Sequence, residues 1–334
     1  DKPTVQDIFH RFYPAYLDQY SPSPVQAKVA HNIMNCKTGA YGANVCVCED
    51  CGFVQIHYNS CRNRCCPMCQ AVPKEMWMDA RREDVLDAPY FHLVFTVPDI
   101  LNPVIYSNQR LLYDALYHAA SSTISELTAD PKHLGAKVGY ICILHTWGSE
   151  MNFHPHIHTI LLGGGLASNN QWRDNGENFF LPIRVISKMF RGKYLEELKR
   201  LWEEDKLVFQ GTAEKFRNHY TFKELLDSCY GMDWIPHCKK TFNCAQTVIK
   251  YLGKYTHRIA VSNHRIVRMN DDTVTFLVKD YRNEGQWKEL TISGVEFVRR
   301  FLMHVPPRRF VRIRHYGLLC CLLYTSPSPR DSTS

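Results

Sequence analysis

Apolar and polar residues along the chain follow two periods. Runs rich in β-branched and aromatic residues, alternating with polar ones, predict strands at Tyr90–Val97, Val138–Thr146 and Phe153–Leu162. A hairpin series follows over Arg265–Met269, Thr273–Lys279 and Trp287–Ile292. Turn formers punctuate these runs: Gly163-Gly164-Gly165, Asn270-Asp271-Asp272 and Asn283-Glu284-Gly285. Helical periodicity fills Tyr106–Leu127, Val185–Trp202 and roughly Cys244–Tyr255, the last with Asn243 as N-cap. The first 35 residues are helical too, and Ser23-Pro24 supplies a cap and first-turn proline for Val25–Met34. Hairpin strands with long helices predict an α+β fold on a largely antiparallel sheet. There is no internal repeat.

Four regions result: a helical lead segment (1–35), a cysteine-rich module (36–75), a mixed region (76–320) and a tail (321–334). The tail reads like one frame of a sequencing-library adapter, and a non-native segment is expected there; a natural Ser/Pro-rich tail is the alternative. The 334 residues are 45% hydrophobic and 22% charged, which excludes fibrous and wholly disordered chains. No apolar run approaches the roughly 18 residues of a membrane span, and no leader pattern opens the chain, so a cytoplasmic protein is expected. The net charge of +7 gains meaning from its placement. Arg299, Arg300, Arg308, Arg309, Arg312 and Arg314 lie within sixteen residues free of acids. Such a run is either a solvated rim or a phosphate-binding face.

Eight of the fourteen cysteines fall in 34 residues, a clustering that suits metal thiolates better than disulfides. Cys48-x-x-Cys51 and Cys66-x-x-Cys69 form two knuckles whose four thiolates would complete a tetrahedral structural Zn²⁺ shell. Cys61 and Cys65 are spaced for a second site, with Cys36, Cys46 or His57 as further ligands and no choice among them forced.

In Phe153-His154-Pro155-His156-Ile157-His158, strand alternation puts the three histidines on one face. Neighbours two apart lie about 7 Å from each other, close enough to share one ion, whereas His154 and His158 are too far apart. His156 and His158 are therefore the candidate pair, and His154 is peripheral. Antiparallel pairing with Val138–Thr146 favours His145 as third ligand over Glu150. Open coordination positions and an oxygen-rich substrate such as a phosphodiester would suit Mg²⁺ or Mn²⁺. Histidines that merely satisfy one another remain the plainer alternative.

Tyr251 and Tyr255 share one helical face, like Tyr16/Tyr20 and Tyr113/Tyr117. Only the first of these pairs is set among cations, Lys250, Lys254, His257 and Arg258. Cations ease loss of the phenolic proton and approach to an anionic phosphate.

In order, these stretches resemble the rolling-circle transposases of the insertion sequence 91 type, built on the HUH (His-hydrophobic-His) single-strand nuclease fold. The resemblance is carried by Tyr58-Asn59-Ser60-Cys61-Arg62-Asn63-Arg64, Cys66-Pro67-x-Cys69-Gln70 and Pro89-Tyr90-Phe91-His92 with Phe95-Thr96-Val97-Pro98. It continues through His145-Thr146-Trp147-Gly148, His154 to His158, Tyr251 to Arg258 and Arg312 to Leu319. The resemblance implies a ferredoxin-like antiparallel nuclease domain behind a zinc-binding module. It also implies a bacterial enzyme that nicks and rejoins single-stranded DNA at transposon ends and target site, acting on the nucleoid. By that resemblance His156 and His158 hold the catalytic ion, and Tyr251 and Tyr255 are nucleophiles that form a 5′-phosphotyrosine. Lys254, Arg258, Arg308, Arg309, Arg312 and Arg314 are then expected on backbone phosphates. Replication initiators and relaxases share this chemistry. A non-catalytic zinc-dependent DNA-binding regulator and a water-using metallohydrolase are the readings of other classes. Two departures stand out: relatives have His at Cys65 and near Asn44, and they continue past Tyr316-Gly317-Leu318, so the chain reads as truncated.

Overall fold

The computed structural model describes residues 2–69, 71–81, 86, 88–174, 181–234, 236–242, 253, 259–280 and 285–320. Apart from Gly253, the expected helix over 244–255, with Tyr251, Lys254 and Tyr255, lies outside the described residues, as do Arg258 and the tail 321–334. In chain order the elements are α1 (Val5–Leu17), α2 (Pro24–Met34), β1 (Ala43–Val47), β2 (Val54–Tyr58), α3 (Ala71–Arg81) and β3 (Tyr90–Thr96). Next come α4 (Asn102–Ser107), α5 (Gln109–Ala129), β4 (Lys137–Trp147), β5 (Phe153–Leu166), β6 (Trp172–Asp174), α6 (Ile183–Glu203) and α7 (His219–Gly231). Then follow β7 (His237–Phe242), β8 (Ile266–Met269), β9 (Thr273–Asp280), β10 (Gln286–Ser293), α8 (Gly294–Met303) and β11 (Ile313–Gly317). The expected α+β class with antiparallel sheets is what forms. No described helix is long and apolar enough to cross a membrane.

The chain divides into two compact units that do not follow sequence order. One comprises Asp1–Met76, Trp147–Phe153 and His257–Arg308; the other comprises Trp77–Thr146, His154–Thr256 and Arg309–Ser334.

In the first unit, α1 begins in a capping box between Thr4 and Asp7, and its stripe Val5, Ile8, Phe9, Phe12, Tyr13 and Tyr16 is buried. That stripe meets α8, where the Phe9 and Phe301 rings cross edge-on at 5.3 Å. Ser23 and Pro24 start α2 as the sequence predicts. The three-stranded sheet β10-β9-β8 contributes Val274, Phe276 and Val278 to the same core, which reaches Cys36, Cys66 and Cys69. β1 and β2 pair antiparallel, Ala43 opposite Tyr58, and both strands are exposed throughout.

The second unit is a sheet in the order β11-β4-β5-β3-β7, with β6 beside β5. Strand alternation sorts its two faces. Phe95 packs against Phe190 of α6 on one face, the rings 4.9 Å apart and tilted by 55°. The other face carries the apolar group Tyr90, Ile141, Ile143, Ile160 and Leu162. β5 runs four residues beyond its expected end, straight through the glycine triplet read above as a turn. Close packing is the reason: a Cβ on Gly164 would enter the Trp172 ring, and one on Gly165 would enter the Lys137 carbonyl. The expected helix Tyr106–Leu127 breaks at Asn108, whose side chain amide bonds the Val104 and Val208 carbonyls.

Candidate metal centres

β4 and β5 lie side by side, and residues of one parity share a face. His145, His156 and His158 therefore emerge together among the apolar residues of that face, all three nine-tenths or more buried. Their ligand nitrogens lie within 4.8 Å of one another. His156 Nε2 and His158 Nε2 are 3.1 Å apart. His156 Nδ1 donates to the His154 carbonyl at 2.7 Å. A carbonyl only accepts, so the Nδ1 proton is fixed and a neutral His156 keeps a bare lone pair on Nε2. Such a set of buried imidazoles fits a divalent cation. His154 points elsewhere, toward Asp99 at 3.3 Å, and Glu150 faces Lys288 at 3.9 Å.

A histidine that spacing did not single out completes the group. His92 on β3 is buried, and its Nε2 lies 2.8 Å from His158 Nδ1. The sequence signal was weak: His92 sits within a strand adjacent to the histidine strand only in space.

The cysteines regroup. Cys36, Cys61, Cys66 and Cys69 bring their sulfurs within 4.8 Å of one another. Cys36 Sγ and Cys69 Sγ are 3.3 Å apart, and Cys61 Sγ and Cys69 Sγ 3.6 Å. Four thiolates about 2.3 Å from one tetrahedral ion stand roughly 3.8 Å from each other, so the set fits Zn²⁺ closely. Burial pushes the Cys36 thiol up, and the hydrogen bond that Cys66 donates to Cys61, together with burial, pushes Cys66 up. Hydrogen bonding with Cys66 holds Cys61 below the ordinary thiol range. Four sulfurs this close would all be deprotonated only with a cation to offset their charge.

The expected partnership of Cys48 and Cys51 with Cys66 and Cys69 does not form. The β1–β2 hairpin carries Cys48 and Cys51 to its exposed tip. There the Cys48 thiol is held below its ordinary value by backbone N–H groups of Cys51 and Asp50, a knuckle turn of its own. Cys65 is buried but stands outside the group of four; its backbone N–H donates to Asn63 Oδ1 at 2.9 Å.

The arginine run is partly neutralised by the fold. Glu296 takes Arg299 and Arg300 at 2.6 and 2.7 Å, which holds its carboxyl down to about 2. Arg314 pairs with Asp114 and lies 3.9 Å over the Tyr117 ring. Arg308 and Arg309 are exposed, and Arg312 is half-buried, its carbonyl accepting from the Tyr117 hydroxyl.

Comparison with known proteins adds a lineage. Residues 139–326 match a family model described as "Putative transposase", and residues 8–97 match one described as "Transposase zinc-binding domain". A protein of Sinorhizobium fredii named "Putative transposase y4qJ" is 41% identical over 319 residues, covering 95% of this chain and 80% of that one. The transposase for insertion sequence element IS801 of Pseudomonas savastanoi pv. phaseolicola is 27% identical, covering 91% of this chain and 72% of that one. Among solved structures, the conjugative relaxase TrwC in complex with OriT DNA aligns at 18% identity and a TM-score of 0.27. That alignment covers 33% of this chain and 44% of the relaxase, too distant a likeness to carry an argument.

Proposed function

The chain belongs to the insertion sequence 91 type of transposases, and from that premise we propose that it cuts and rejoins single-stranded DNA at transposon ends through a tyrosine nucleophile. The observation that carries this reading is the convergence of His145, His156 and His158 on one buried sheet face. Apolar residues would pack this face without the desolvation cost of buried imidazoles, and a shared cation supplies the reason for meeting that cost. The residues that would hold the ion are these three. Bound Mn²⁺ or Mg²⁺ would draw electron density from a phosphate oxygen and offset developing charge; imidazole donors favour Mn²⁺ of the two.

The rest is the work of the chain. Tyr251 or Tyr255 attacks phosphorus through its phenolic oxygen as the bond to the 3′ oxygen breaks. The products are a 5′-phosphotyrosine and a free 3′-hydroxyl, which receives the proton. The phosphodiester energy stays in the covalent link, so rejoining needs no nucleotide. A second phenol four residues on can take the next strand. Lys254, Arg258 and the exposed Arg308 and Arg309 hold backbone phosphates, and Cys36, Cys61, Cys66 and Cys69 hold the zinc that folds the first unit. Such work is done on the nucleoid, in the cytoplasm.

The test incubates the chain with single-stranded transposon-end oligonucleotides and Mn²⁺ and maps adducts by mass spectrometry. A tyrosine–DNA adduct is expected, absent in the Tyr251→Phe/Tyr255→Phe double variant and in His156→Ala. Strand cleavage that leaves no adduct on any residue refutes the tyrosine mechanism in favour of hydrolysis by water.

A further inference from the structure

We propose that His92 is a positioning residue for the histidine centre: its Nε2 accepts the Nδ1 proton of His158 and so holds that imidazole with a bare Nε2 facing His145 and His156. This rests on the reading of those three histidines as metal ligands.

The argument is a count of protons. His92 Nε2 and His158 Nδ1 are 2.8 Å apart, so one nitrogen carries the hydrogen and the other a lone pair. The other nitrogen of His158 lies 3.1 Å from His156 Nε2, inside the cluster. A neutral His158 has one N–H. If it sits on Nε2, the ring presents a proton to the centre and cannot ligate. If it sits on Nδ1, it points at His92 and the Nε2 lone pair is free. Only the second arrangement makes three ligands, and it requires His92 to be an acceptor at Nε2 with its own proton on Nδ1. His156 receives the same service from the His154 carbonyl, which has no choice of role. For His158 the partner is an imidazole, so the choice of tautomer on one ring dictates that of the next.

The backbone keeps the two rings in register. β3 and β5 pair with Val94 opposite His158 and Ile160 opposite His92, which sets the two histidines diagonally on one face. Their rings are 5.1 Å apart and 11° from parallel. His92 is 6% exposed, and Tyr90 and Ile160 belong to the apolar group on that face. An imidazole so placed cannot swing away to water, and neither can His158.

The test measures Mn²⁺ binding by electron paramagnetic resonance on the whole chain and on His92→Phe, His92→Gln and His156→Ala. Long-range proton–nitrogen spectra of the histidine rings read the tautomer of His158 without any activity. His92→Phe is expected to weaken Mn²⁺ about 10- to 100-fold and to lose the Nδ1–H form of His158. His92→Gln, whose carboxamide oxygen still accepts, is expected to recover most of the affinity. Wild-type affinity in His92→Phe, with His156→Ala defective, overturns the role of His92 and leaves the metal centre standing. Glutamine as weak as phenylalanine also overturns it, since packing alone would then explain the loss. Undiminished binding in His156→Ala instead brings down the metal reading itself. Should His92→Phe lack the wild-type thermal transition, His92→Gln decides alone: near-native affinity with an Nδ1–H His158 supports the proposal, and loss of either overturns it.

Discussion

His304 gives the first unit a built-in sensitivity to acid. It closes α8, is 7% exposed, and donates from Nε2 to the Met151 carbonyl at 3.0 Å. The Trp147 and Phe153 rings cover it at 5.9 and 6.4 Å. Burial, reinforced by the Arg299 charge, pulls its pKa from the ordinary 6.5 down to about 4, against a smaller opposing effect of the Met151 hydrogen bond. The unfolded chain therefore binds a proton below about pH 6.5 that the folded chain refuses until about pH 4. The neutral ring contributes its full stability above that window, and the contribution is lost as pH falls through it. The loss amounts to about 2 kcal/mol at pH 5 and about 3 kcal/mol near pH 4. His304→Gln keeps a donor for Met151 and never charges. Native-state hydrogen exchange in peptides covering Gly294–Met303, run at about pH 7.5 and about pH 5, compares the two proteins. Acid effects common to both, such as thiolate protonation at the zinc centre, cancel in the difference. The wild type is expected to lose about 2 kcal/mol more than the variant. Parallel losses, within about 0.5 kcal/mol, refute the reasoning.

Further outcomes test how the fold regroups the cysteines and the arginine run. Cys36→Ser is expected to abolish the four-sulfur absorption spectrum of the Co²⁺-loaded chain, and Cys48→Ser to leave it intact; equal loss in both returns Cys48 to that centre. Arg314→Ala is expected to cost about 1 kcal/mol of stability, through Asp114 and Tyr117, without changing the salt dependence of DNA binding. Arg309→Ala is expected to leave stability alone and to lower the slope of log affinity against log salt by about 0.7. Filter binding across a salt series and urea unfolding check both, and an exchange of the two phenotypes counts against the assignment.

Much of the architecture was legible because period and composition act locally. Ser23-Pro24 starts α2, β9 alternates as read, and His156-Ile157-His158 had to share its outer residues on one face whatever surrounded the strand. The glycine triplet misled for a local reason too: the residue type that makes turns also permits close strand packing, and only Trp172 and Lys137 reveal which applies. The cysteine module misled differently. C-x-x-C spacing says that two thiols can meet one ion, but not which second pair joins them. The hairpin β1–β2 removes Cys48 and Cys51 to its tip, while the end of α2 delivers Cys36 from thirty residues upstream of Cys66. Arg314 likewise belongs to a basic run in the sequence and to an ion pair in the fold.

What the chain determined by itself, then, was the chemistry available and the face on which each strand would present it, because side-chain identity and alternation are properties of neighbours in sequence. Which groups with no such local pairing meet was decided only by tertiary packing: strand order brings His92 to the histidine cluster, and core burial draws Cys36 and Cys61 to Cys66 and Cys69. The physical reason is that ligand sets and the hydrogen bonds that orient them depend on separations of about 3 Å, and those are set by register and packing between segments whose spacing in the sequence carries no trace of them.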